Sequence, residues 1–208
     1  MNFITRAWQV VIEHRRAYVA INLLYYGLVL AGMAYVFANP VLQKELVQAV
    51  GQSLQPGGSL AAVSEAYGSG NVAVAAAVTF GVNLVLGSLL VITLPSLVVP
   101  FSGLAMGTLR AVLWGLILAP QGPLALPMIP HSITLLVEGQ GYILAMLGAY
   151  TIGRGLLSPR SYAASGHLQG YLAGVQRCAR LYVLVALVLA VAAVYEATEV
   201  ILMINLAR

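Results

Sequence analysis

Residues 181–204 read LYVLVALVLAVAAVYEATEVILMI. A helix needs about 20 mostly apolar residues to cross a hydrocarbon core of about 30 Å, and this run is long enough. Working outward, four more windows of the same kind appear: Tyr18 to Ala38, Val72 to Leu94, Phe101 to Ala119 and His131 to Gly153. The pattern predicts an all-α, polytopic helical membrane protein. It has about five transmembrane helices and short amphipathic interfacial helices, in a single domain over residues 1–208. Composition agrees: 61% of residues are hydrophobic and 8% charged, where soluble domains carry about a quarter charged.

The same counts exclude several functions. The chain holds ten Lys plus Arg, six Glu and no Asp, at a mean hydropathy of +0.92, which rules out a disordered or acidic binding tail. Its few arginines are scattered, so the sequence pI of about 9.4 reflects no phosphate-binding patch and nucleic acid is not an expected partner. One cysteine, Cys178, forms no internal disulfide. There is no metal-ligand spacing, nucleophile elbow, phosphate loop or Asp to orient a histidine. No catalytic residue, metal or cofactor is expected, and the chain does not read as an enzyme.

Charge at the ends of the spans sets their direction, because Lys and Arg are retained on the cytoplasmic side. Arg6, Arg15 and Arg16 precede the first span, and Arg154, Arg160, Arg177 and Arg180 fall between the fourth and fifth. Residues 39–71 carry only Lys44, Glu45 and Glu65. The expected topology is a multi-pass protein of a prokaryotic inner (cytoplasmic) membrane with its N-terminus cytoplasmic, and Arg208 alone runs against it. Residues 1–17 read as an amphipathic cytoplasmic helix, with Ile4, Trp8, Val11 and Ile12 on one face. A plain extension of the first span is the other reading, and a retained anchor is favoured over a cleaved signal. Residues 39–71 form the extracytoplasmic segment, with a short helix over Val41 to Leu54 broken at Gln55-Pro56-Gly57-Gly58. Residues 154–180 form a basic cytoplasmic loop against the lipid bilayer, with Ser158-Pro159 opening a short helix.

Ionisable groups at membrane depth cost about 2.5 to 3.5 kcal/mol each on insertion scales, so they mark structure or function. Arg110, Glu138 and Glu196 stand out. Counted inward from Ala119, His131 and Ile204, they reach a similar depth of roughly 10 to 14 Å. Arg110 is expected to meet Glu138 on an antiparallel neighbour and to take Glu196 as a second acceptor. Two readings stay open, a buried structural ion-pair cluster and a hydrated pocket handling a proton or ligand. His131, two turns from Glu138 on one face, is a polar residue at the start of its helix. Asn83 and Gly87 on the second span, and Gly103 and Gly107 on the third, supply small faces for helix packing.

Several of these residues occur together as Val82-Asn83-Leu84-Val85-Leu86-Gly87, Phe101-Ser102-Gly103-Leu104-Ala105-Met106-Gly107, Ile129-Pro130-His131 with Glu138, and Val194-Tyr195-Glu196-Ala197. In this order they resemble the stage II sporulation protein M family of integral membrane proteins. The match runs through Asn83, Gly87, Gly103, Gly107, Pro130, His131, Glu138 and Glu196, whereas Ser102 stands where members often carry Asn. The resemblance implies a non-enzymatic membrane scaffold or accessory subunit that works with other membrane or envelope proteins in envelope remodelling. The rival expectation is a small transporter or permease-like subunit, with Arg110, Glu138, Glu196 and His131 lining a pocket and Pro95, Pro100 and Pro130 interrupting helices. An intramembrane hydrolase or metal enzyme ranks third. Homo-oligomerisation through the glycine faces is a further expectation.

Overall fold

The structure is a computed structural model, and it describes residues 2–206; Arg208 lies outside them. The described residues are helical and contain no strand. Helix α1 spans Phe3–Glu13, α2 Arg15–Ala38, α3 Pro40–Ser53, α4 Ala61–Gly68, α5 Val72–Val98, α6 Ser102–Ile117, α7 Met128–Leu157 and α8 His167–Leu206. Four of these, α2, α5, α7 and α8, are long and apolar enough to cross a membrane. The window expected as a third span holds α6, whose 16 residues measure about 24 Å at 1.5 Å per residue.

Local chemistry sets the boundaries. Asn2 accepts from Thr5 N at 2.8 Å and Asn71 from Ala73 N and Val74 N at 3.0 and 3.3 Å, capping the starts of α1 and α5. Gln43 Nε2 donates to the carbonyls of Ile117 and Ala119, and Gln121 Nε2 to that of Val36. The ends of α6 and α2 thus keep partners for carbonyls that a helix terminus leaves free. The middle of α5, Val82–Thr93, is π-helical and ends just before Pro95, which has no N–H to continue a ladder. At the turn into α6, Phe101 adopts the left-handed region at φ 65°, and its ring fills the space that a Cβ at Gly153 would occupy.

α7 is the pillar of the bundle. Tyr142 to Leu147 and Ala149 are at most 5% exposed, enclosed by α2, α5, α6 and α8. Small residues let α8 approach it: Gly155 faces Gly170, Gly174 faces Thr151, Gly148 faces Cys178 and Gly141 faces Leu189. On the other side Gly32 of α2 lies against Gly115 of α6, where a Cβ on Gly32 would meet the Gly115 Cα at 3.0 Å. Leu23, Leu30, Leu90, Leu109, Val191 and Leu202 point outward from the bundle.

Three sequence expectations need revision. Most of 154–180 is helix, not loop: α7 continues to Leu157, α8 begins at His167, and the connection is residues 158–166, which hold a single 3-10 turn at Pro159–Tyr162. Hydropathy registers the apolar part of α8, but backbone contact through Gly170 and Gly174 extends the helix well before Leu181. Residues 1–17 are not one helix, because α1 stops at Glu13 and α2 starts at Arg15, with His14 at φ −112°, ψ 27°. The apolar side of α1 also divides. Ala7, Val10 and Val11 are buried, α1 packs on α8, and Phe3, Ile4, Trp8 and Ile12 face outward.

Candidate functional site

A cavity of about 430 Å³ opens among α5, α6, α7 and α8 and is roofed by Val50 of α3 and Leu60 and Val63 beside α4. Arg110, Glu138, Glu196 and His131 all line it, together with Asn83 and Gly87. Six residues singled out in four separate stretches of sequence therefore share one site. Gly103 and Gly107 do not. A Cβ on Gly103 would strike Ile92 O, Ser96 Oγ and Ala149, and one on Gly107 would strike Met146, so these glycines are used inside the chain.

Arg110 and Glu138 meet as expected, through a third residue. Arg110 Nη2 donates to the Tyr142 hydroxyl at 2.6 Å, and that hydroxyl donates to Glu138 Oε1 at 2.6 Å. The direct Arg110 Nη2 to Glu138 Oε1 separation is 3.7 Å. The guanidinium also lies over the rings of Tyr142 and Trp114, at 3.9 and 5.2 Å from their centroids. Arg110 Nε is buried without a partner. Tyr142 has room because residue 87 is glycine: a Cβ there would lie 2.9 Å from the phenol ring. Asn83, one helical turn before Gly87, faces the Glu138 carboxylate.

Glu196 is not the second acceptor for Arg110. No cation lies within ion-pair distance of it among the described residues; its hydrogen-bonding neighbour is Tyr67 of α4, whose hydroxyl is 3.0 Å from Thr79 Oγ1. His131 has its own acid. Its Nδ1 lies 3.4 Å from Glu199 Oε2, and the same oxygen accepts from Thr134 Oγ1 at 3.2 Å. Glu199 Oε1 is buried with no partner.

Tyr142, Glu199, Tyr67 and Trp114 are thus parts of the site that sequence reading missed. Tyr142 is four residues from Glu138, the spacing that puts two side chains on one helix face, and that signal was available. Tyr67 arrives from the short helix α4, and nothing in its own stretch marks it. A separate network joins α2 to α7, where Gln140 accepts from Tyr18 at 2.6 Å and donates to Asn22 and Tyr26 at 2.8 and 2.9 Å.

At the arginine-bearing end of the bundle, α1 is clamped to α8. Arg177 donates to both Glu13 oxygens at 3.0 and 3.2 Å and lies 3.9 Å over the Tyr162 ring. His14 is 4% exposed, with Nδ1 on Val10 O at 3.0 Å and Nε2 on the Tyr162 hydroxyl at 2.9 Å. A backbone carbonyl only accepts, so Nδ1 carries the proton, and Nε2 of the neutral ring at 2.9 Å is a nearer acceptor for the one Tyr162 hydroxyl proton than Thr151 O at 3.3 Å. Burial holds the His14 pKa below the usual histidine value, and pushes Tyr162 up to about 12. At Glu13, partial burial works upward, but the hydrogen bonds and charge of Arg177 win and its pKa is lowered.

The cavity combines fixed charges with largely apolar walls, the usual make-up of a small-ligand site. Cys178 is buried against Gly148 and does not line it. Among the described residues no group of three or more His, Cys, Asp or Glu is placed to hold a metal. The chain matches no protein-family profile, no curated protein and no solved structure.

Proposed function

We propose that the protein is a multi-pass membrane subunit whose working part is the cavity: a small ligand-binding, permease-like component with five spans, α6 being the shortest. The reading is supported above all by one observation, the meeting of Arg110, Glu138, Glu196 and His131 around a space of about 430 Å³. A structural ion-pair cluster needs no open space beside its charges, because its groups satisfy one another directly. The N-terminus and the arginine-bearing end lie in the cytoplasm of a prokaryotic inner membrane, following the placement of Arg6, Arg15, Arg16, Arg154, Arg160, Arg177 and Arg180. The cavity then faces outward beneath α3 and α4.

A scaffold or accessory subunit is the second reading. It is favoured by the resemblance to stage II sporulation protein M, and by a cleft of about 380 Å³ between α3 and residues 121–124, where Pro40, Gln43, Lys44, Gln48 and Pro123 form a surface that a partner protein can occupy. Replacing the chromosomal copy with a Leu135→Trp variant separates the two. Leu135 lines the cavity, away from the cleft. The cavity reading expects a null phenotype with wild-type membrane abundance and unchanged co-purifying proteins. Full function with the cavity filled rejects it in favour of the scaffold.

A further inference from the structure

The charges around the cavity do not cancel. Arg110 is matched by Glu138 through Tyr142, and Glu199 has His131 at 3.4 Å, a partner that is a cation only when its ring is protonated. Glu196 is partly exposed, lines the cavity, and has no cation within ion-pair distance among the described residues. The Glu196 carboxylate therefore faces open space without a cation, with the Tyr67 hydroxyl beside it and the acids Glu138 and Glu199 nearby. Val63, Leu86, Val91, Leu118 and Leu135 supply apolar wall, and the other oxygen-bearing side chains of the lining are engaged within the protein: Glu138 with Tyr142 and Asn83, Thr134 with Glu199, and Thr79 with Tyr67.

A small inorganic cation is a poor match for these walls. Sodium-like or divalent ions replace lost water with several oxygen ligands, and hard divalent ions take about six or more. Here Glu196 is the one lining carboxylate with neither a cation nor Tyr142 on it, and the remaining oxygens already have partners in Tyr67, Glu199 and Tyr142. A cation that carries its own hydrocarbon satisfies both halves of the site: its charge meets Glu196 and its carbon skeleton displaces water from the apolar walls. The cavity volume of about 430 Å³ falls inside the usual range of roughly 300–1,000 Å³ for small-molecule sites.

Resting on the cavity reading above, we propose that the site binds a hydrophobic organic monocation, of the substituted-ammonium class, with its charged head against Glu196. Tyr67 orients the carboxylate from the roof, and Arg110, held back by Tyr142 and Glu138, disfavours a second positive charge.

The test uses the full chain in nanodiscs of zwitterionic phosphatidylcholine, with calorimetric titration of benzyltrimethylammonium and of benzylsulfonate, similar in size and opposite in charge. The wild type is expected to bind the ammonium saturably, at one per chain, and the sulfonate not at all. Glu196→Gln is expected to weaken ammonium binding by about tenfold or more, while Glu65→Gln, outside the cavity, leaves it unchanged. Equal binding of the two probes, no binding of either, or wild-type affinity in Glu196→Gln overturns the proposal; the two-probe comparison needs no variant to fold. If Val91→Cys reacts with a water-borne thiol reagent while the ammonium fails to bind, the cavity reading stands and only the cation assignment falls.

Discussion

Glu138 and Arg110 stand 3.7 Å apart on adjacent helices, and the Tyr142 hydroxyl fills the gap with a 2.6 Å hydrogen bond to each. Both charges depend on that hydroxyl, since Arg110 Nη2 donates to it and it donates to Glu138 Oε1. Tyr142→Phe is therefore expected to lower the stability of the detergent-solubilised protein by about 1–3 kcal/mol, the cost of leaving buried polar groups unmade. Thermal or denaturant unfolding followed by helix signal reads this, and a change within error removes the bridging role.

Charge balance gives a larger effect. Glu138→Leu alone leaves a half-buried guanidinium without its acid and is expected to cost about 3–5 kcal/mol, whereas the double change Arg110→Leu with Glu138→Leu recovers most of it. A double-mutant cycle on unfolding free energy checks the coupling. Additive single effects would show that the two groups do not act as a pair.

Two glycines serve as a steric test of the packing. Gly115→Ala places a methyl against Val29 O and Gly32 and is expected to destabilise by about 1–3 kcal/mol, while Gly27→Ala meets nothing within 4 Å and is expected to be neutral or slightly stabilising. Equal melting shifts for the two variants would contradict the close α2 to α6 approach.

Acidification should loosen α1. His14 and Glu13 both have lowered pKa values in the folded protein, so at intermediate pH the unfolded segment binds more protons than the docked one. The His14 contribution is present above about 6.5 and declines as pH falls through its depressed folded value. The Glu13 contribution is lost lower, below about 4.5, as its clamp on Arg177 is protonated. Arg154 and Arg177 face the same ring and oppose its protonation. The protection factor of amides 3–13, their exchange relative to unstructured amides at the same pH, is expected to fall between pH 7 and pH 5, and His14→Phe to flatten that part of the profile. A pH-independent protection factor would contradict the assignment.

Helical class and the long spans were legible in the sequence because apolar length is a property of each stretch alone. Arg110, Glu138 and Glu196 were legible as a group because depth follows from counting along a helix, and His131 because it lies two turns from Glu138 on one face. Partner choice was not. Whether Arg110 takes Glu138 or Glu196 depends on helix rotation, and the rotation of α8 is fixed by Gly170 and Gly174 seating on α7, in a region whose polarity reads as loop. Glu199 pairs with His131 for the same reason, one turn from Glu196 and on a different side of the site. Tyr67 depends on α4 folding back over the bundle, which no periodicity within residues 39–71 encodes.

The direction of the chain is open to a labelling test. Cys178 is 3% exposed and is expected to be unreactive in the folded protein. Ser64→Cys is then expected to react with an impermeant maleimide added outside intact cells, and Ser161→Cys only after lysis. The reverse pattern would invert the proposed orientation.

Whether the cavity holds water decides the account most directly, and Val91 and Leu90 offer adjacent positions at almost the same depth. Val91 lines the cavity; Leu90 is 46% exposed and points away from it. In a Cys178→Ala background, Val91→Cys is expected to react with a charged methanethiosulfonate reagent supplied from outside, and Leu90→Cys, facing lipid, is not. Equal inertness of both thiols, in protein that elutes and melts like the wild type, would show the space to be dry and would contradict a working cavity built on Arg110, Glu138, Glu196 and His131.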